Sequence, residues 1–412
     1  MHEHRRLARK ITRTLFVAQS LGSAGFIAAS TVNALVVVSL SGQIAWSGVP
    51  SAVYQLGAAM AAFGWGHVSD RIGRRGGLVI GLILGTIGAA LSGSAVIVGA
   101  LGLLLAGSAL MGAAQAGLQL GRFAAAEVHP AGERGRAISN VVVGGTIGAV
   151  FGPLLVGPMG RWARSAAIDE LAGPYLASLV LFAIAAAVVW LRLRPDPRDL
   201  GRELARQQGP EAGADRPARP LATLLQMPGM VLAMSAMICG QLTMVMLMGM
   251  TSVHMRAHDH ALPSISVVIS SHTFGMFAFS ILSGRLSDRW GRVPVIVTGA
   301  GGLILACVLA PLSPAVVPLA VALFFLGLGW NFCFVGGSSL LADQLLPSER
   351  ARTQGFNDLL IGLVSAAGSL GSGLAFASVG FALMAAISGA FALIPLAIAG
   401  SLGLMRRHVV PA

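Results

Sequence analysis

Gly66-His67-Val68-Ser69-Asp70-Arg71-Ile72-Gly73-Arg74-Arg75 returns 218 residues later as Gly284-Arg285-Leu286-Ser287-Asp288-Arg289-Trp290-Gly291-Arg292. Each copy lies between long apolar runs. A charged Gly-Asp-Arg-Gly-Arg turn is tolerated there only where the chain leaves lipid. The repeat distance is about half the chain, so the sequence reads as a duplicated membrane bundle.

The rest of the chain agrees. Of its 412 residues, 55% are hydrophobic and 11% are charged, against about 25% charged in soluble domains. The mean hydropathy is +0.78. Runs of the roughly 20 residues needed to cross the hydrocarbon core lie at 14–40, 47–68, 76–95, 98–126, 137–159 and 173–192, then at 227–254, 263–285, 293–311, 316–343, 353–376 and 379–405. The expected fold is therefore all-α, with twelve transmembrane helices in two six-helix bundles. Residues 1–192 form the first bundle, 193–222 a Pro-, Arg- and Asp-rich cytoplasmic linker, and 223–412 the second. The matched loops extend further: Glu127, Pro130, Glu133, Arg134 and Arg136 correspond to Asp343, Pro347, Glu349, Arg350 and Arg352. Such repeats meet about a pseudo-twofold axis along the membrane normal.

The net charge of +12 comes almost entirely from arginine. Its placement excludes a nucleic-acid partner. Arg5, Arg6, Arg9, Lys10 and Arg13 precede the first run, Arg71, Arg74 and Arg75 follow the second, and Arg192 to Arg219 fill the middle segment. This asymmetry places both termini and the linker in the cytoplasm of a multi-pass protein. Cys239, Cys307 and Cys333 fall inside apolar runs and imply no disulfide framework. No nucleophile–base pair or phosphate loop is present, so an enzyme is not expected.

These residues resemble the major facilitator superfamily, whose signature Gly-x3-Asp-Arg-x-Gly-Arg lies between helices 2 and 3. The resemblance covers essentially the whole chain. It implies a secondary transporter of the bacterial cytoplasmic (inner) membrane, working by alternating access and needing no cofactor. It also implies that Asp70, Arg74 and Glu127, with Asp288, Arg292 and Asp343 in the second half, form charge clusters that gate the cytoplasmic side. Helix 5 carries Gly148, Gly152, Pro153 and Gly157, spaced for close helix packing with a proline kink. That pattern is similar to the motif of drug:proton antiporters. The Arg-x3-Gly that often couples protons in helix 4 is replaced by Ser108-Ala109-Leu110-Met111-Gly112.

No acidic residue lies in the middle of any span, whereas nine of the sixteen methionines fall between 227 and 255. Met fills irregular contacts, so packing is the plain explanation. One arrangement is sharper. Met244-x3-Met248 lies in helix 7 and His272-x3-Met276 in helix 8, and residues four apart share a helical face. Thioethers select Cu(I), and imidazole accepts either copper oxidation state. The pair of motifs is similar to that of the CcoA-type copper importers, which implies Met244 and His272 as primary ligands, Met248 and Met276 in support, and copper as the transported ion. The competing expectation is a small organic substrate, by riboflavin-like uptake or drug efflux. The turn His254-Met255-Arg256-Ala257-His258-Asp259-His260 could collect metal at the entrance or simply be solvated.

Overall fold

In lipid each backbone amide must be paired within its own segment, so apolar runs bounded by arginines become helices. The computed structural model describes residues 2–130, 133–208 and 219–408, and every regular element among them is helical. By internal contact the chain divides into two units, Met1–Ala212 with Ala261–Ser266, and Gly213–His260 with Val267–Ala412.

The first unit holds α1 (His2–Ser41), α2 (Val49–Val98), α3 (Leu101–Gln119), α4 (Gly121–Glu127), α5 (Arg134–Phe151), α6 (Val156–Ser165), α7 (Gly173–Arg192) and α8 (Pro197–Gln208). The second holds α9 (Leu221–Leu225), α10 (Pro228–Ala257), most of α11 (Leu262–Phe277), α12 (Ser280–Trp290), α13 (Arg292–Leu309), α14 (Val316–Asp343) and α15 (Pro347–His408).

Ten helical stretches among the described residues are long and apolar enough to cross a membrane. Two glycines complete the count. Gly73 (φ 87°, ψ 164°) breaks α2 and Gly380 (φ 76°, ψ 176°) breaks α15, a region that only glycine occupies without strain. The break at Gly380 makes two crossings of the longest stretch, and the part of α2 before Gly73 supplies another, which gives the twelve read from the sequence. Both loop motifs are thus single-residue breaks rather than extended loops. Gly291, the counterpart of Gly73, has φ 94° and ψ 164°, so the duplication extends to backbone angles.

In the first unit α1 is central, packed on α5 and α7. The Ser178 hydroxyl donates to the Gly25 carbonyl (2.6 Å) and Tyr175 to Asn33 Oδ1 (2.6 Å). In the second, α10 packs on α14 and α15. Met230, Met234 and Met237 join Leu224, Ala233, Leu341 and Leu345 in one buried cluster there. The N-terminal half of the methionine-rich helix is therefore core.

Candidate functional site

Each motif builds a charge cluster inside its own unit. Arg74 is the first residue after the break at Gly73. Its Nη1 donates to Asp70 (3.1 Å), while Nη2 (2.6 Å) and Nε (3.1 Å) donate to Glu127 at the end of α4. Arg292 repeats the arrangement, with Nη1 donating to Asp288 (2.6 Å) and Nε to Asp343 at the end of α14 (3.0 Å). Asp70 and Asp288 are largely exposed, at 68% and 75%, and exposed pairs contribute only about 0–1 kcal/mol. Such clusters fix geometry more than they stabilise.

The connecting segment holds two polar partners that sequence reasoning missed. Asp196 reaches the first motif. Arg219 reaches Glu349, which is buried. The Arg219 amide (2.8 Å), Nε (2.9 Å) and Nη2 (2.7 Å) donate to that carboxylate, as does the Leu346 amide (2.9 Å). These bonds hold the Glu349 carboxyl down at about 2, the Arg219 side chain being the main cause. A depressed carboxylate stabilises above its ordinary range and loses the effect as pH falls toward the depressed value. The melting-temperature gap between wild type and Glu349→Gln should therefore be full at pH 7, and should shrink only below about pH 4.3. A gap that closes between pH 7 and 5 would contradict this.

The helix-5 motif resolves into two roles. A Cβ at Gly148 would lie 2.0 Å from the Ser20 carbonyl oxygen of α1, and one at Gly152 would lie 2.7 Å from that of Ala24. Gly152 and Pro153 then end α5 in a tight turn before α6, and Gly157 on α6 sits against Pro263. Close packing accounts for the whole pattern without a drug substrate.

His272 is fully buried on α11. Its Nδ1 lies 3.2 Å from the Leu323 carbonyl oxygen of α14. A carbonyl only accepts, so Nδ1 carries the proton and Nε2 presents a lone pair. Nε2 is buried and, among the described residues, has no hydrogen-bond partner. Met244 is buried, while Met248 and Met276 are half-buried. Helix α14 serves as a ruler for depth. Trp330 donates to Gln241 Oε1 of α10 (2.7 Å), and its ring lies 6.4 Å from Phe277 of α11. Counting about 1.5 Å per residue from that level, His272 lies about 7.5 Å along α11, between Met244 at about 4.5 Å and Met248 at about 10.5 Å along α10, with Met276 at about 1.5 Å.

One amide of α14 is bonded between helices. The Asn331 amide donates to the Met276 carbonyl (2.6 Å) and to Ser280 (2.9 Å). The histidine turn is likewise structural: His254 stacks on Phe381 at 4.0 Å, and His260 Nε2 lies 2.9 Å from the Pro314 carbonyl oxygen. Among the described residues no group of three or more His, Cys, Asp or Glu side chains is placed to hold a metal.

The sequence matches the Major Facilitator Superfamily over residues 14–258 and again over 233–409. The chain belongs to that superfamily. It is a multi-pass secondary transporter and not an enzyme, and carriers of this superfamily generally need no cofactor. It is 35% identical to the uncharacterized MFS-type transporter YdeG of Bacillus subtilis (strain 168), over 93% of this chain and 90% of that one. It is 28% identical to the riboflavin transporter RfnT of Brucella anthropi, over 86% of both. A solved D-xylose-proton symporter superposes with a TM-score of 0.71 at 16% identity, covering 94% of this chain and 96% of that chain, which shows the shared fold.

Proposed function

We propose that this transporter imports copper across the bacterial cytoplasmic membrane by alternating access, with both termini and the connecting segment in the cytoplasm. Met244, Met248, His272 and Met276 are the ion's ligands, and the clusters around Arg74 and Arg292 are cytoplasmic gates. The observation that carries the copper reading is the imidazole of His272. One ring nitrogen is fixed on a carbonyl and the other is left bare in a buried place, as in metal-ligating histidines. The neutral thioethers of Met244, Met248 and Met276, as its proposed partners, would favour soft Cu(I) over harder cations. The arginine-rich flanks support the orientation.

A small organic substrate is the second reading, supported by the similarity to RfnT along most of the chain. Uptake in cells expressing the protein separates the two. Radioactive copper should accumulate above the empty-vector level. Excess Ag(I), a soft mimic of Cu(I), should block it and riboflavin should not. Riboflavin accumulation with no copper uptake above vector would reverse the assignment.

A further inference from the structure

We propose that Asp196 and Arg198, in the segment after α7, are positioning residues of the first charge cluster. They hold the broken helix at Gly73 so that Arg74 meets Asp70 and Glu127 together, which makes the connecting segment part of the cytoplasmic gate. This rests on the gate reading above.

A break in a helix leaves amides bare on one side and carbonyls bare on the other. The Asp196 carboxylate accepts from the amides of Arg74 (3.1 Å) and Arg75 (3.0 Å), the start of the helix after the break. Arg198 Nη1 donates to the carbonyls of Asp70 (2.8 Å) and Arg71 (3.3 Å), the end of the helix before it. Each charge has the sign that the adjoining helix end favours. The two residues are locked to each other, since Asp196 Oδ1 also accepts the Arg198 amide (2.9 Å) as the cap of α8. Helix α8 in turn abuts the third member of the cluster: a Cβ at Gly201 would lie 3.0 Å from the Glu127 carbonyl oxygen. Arg75 adds a strap from α2 to α7, with Nη2 donating to the Trp190 carbonyl (2.7 Å) and its guanidinium 4.2 Å above the Trp190 ring.

The second repeat supplies a contrast. Gly291 has the same backbone angles as Gly73. A Cβ at Gly73 would strike Asp196 Oδ2 at 2.3 Å, whereas one at Gly291 would meet, among the described residues, only the Pro294 side chain at 3.8 Å. Among the described residues, one motif is clamped by the connecting segment and its duplicate is not.

Hydrogen–deuterium exchange on the full chain in lipid nanodiscs tests this. Asp196→Ala should speed exchange of the Arg74 and Arg75 amides by about tenfold or more. Because Arg74 is then no longer held, it should also speed exchange across 121–127. Asp196→Asn, which keeps one acceptor, should fall between and gives the reading if the alanine variant does not fold. Glu127→Gln should loosen 121–127 while residues 74 and 75 stay protected, and adding it to Asp196→Ala should change nothing further. Exchange confined to residues 74 and 75, or additive effects in the double variant, would overturn the proposal by reducing Asp196 to a local cap. Copper uptake by Arg74→Ala tests the gate separately. Unchanged uptake there would remove the gate reading and leave the positioning result standing, while unchanged exchange in both Asp196 variants would do the reverse.

Discussion

Replacing His272 with leucine should abolish copper accumulation without lowering the melting temperature of the protein. The imidazole carries the only nitrogen donor in the proposed ligand set, and its buried Nε2 has no partner among the described residues. An unpaired buried acceptor costs about 1–3 kcal/mol, so an apolar side chain in its place removes a penalty. The bond lost, from Nδ1 to the Leu323 carbonyl, is a second bond on an oxygen within the regular helix α14. A histidine kept only for helix packing would show the opposite pattern, a lower melting temperature with uptake preserved. His272→Gln sharpens the contrast, because it can still donate toward Leu323 but offers no ring lone pair. Uptake should fall about tenfold or more in both variants, the equivalent of losing at least about 1.4 kcal/mol of ion stabilisation. Met234→Leu, in the packed cluster of α10, conserves volume and should leave uptake unchanged. Wild-type copper uptake in both His272 variants would end the ligand assignment.

The difference between Met234 and Met248 marks where sequence reasoning stops. Met230-x3-Met234 and Met244-x3-Met248 are the same pattern on one helix. Only packing separates the first, embedded with Leu224 and Leu341, from the second, which lies farther along α10 outside that cluster. The bundle itself was legible because lipid leaves little choice: long apolar runs must be helices, and arginines must sit at their ends. The paired motifs were legible as charge clusters because Asp70 and Arg74, like Asp288 and Arg292, stand four apart. That a single glycine with positive φ breaks the helix between them was not, because nothing local distinguishes such a break from a loop. The polar ties of the connecting segment were hidden for another reason. Asp196 and Arg74 are 122 residues apart, and Arg219 and Glu349 are 130 apart. Asp196 before Pro197 reads locally as a helix cap, which it is. Its second task at Gly73 exists only in the folded chain. The relatives do not choose the substrate either, since YdeG is uncharacterized and RfnT is named for riboflavin.

The other large effect is expected from one methyl group. Gly148→Ala should lower the melting temperature sharply, and Gly148→Leu should prevent recovery of monodisperse protein. On an open helical surface, glycine to alanine gains about 1 kcal/mol from helix propensity. At Gly148 that gain is overrun, because the new Cβ would lie 2.0 Å from the Ser20 carbonyl oxygen and 2.8 Å from the Ala24 amide nitrogen. Both are backbone atoms of α1, so no side-chain rotation relieves the clash and the two helices must separate. Gly144 and Gly152 make the same kind of approach, at 2.5 Å to Phe16 O and 2.7 Å to Ala24 O, so separation at Gly148 opens three consecutive turns. Overpacking of this kind costs about 1–3 kcal/mol and occasionally more, and α1 is the helix on which α5 and α7 both rest. Gly64 on α2 is the control, since a Cβ there meets nothing within 4 Å among the described residues. Gly64→Ala should hold or raise the melting temperature in the same preparation. Equal stability of Gly148→Ala and Gly64→Ala would mean that α5 does not pack on α1 through its glycines, and the explanation of the helix-5 motif as a packing device would fall with it.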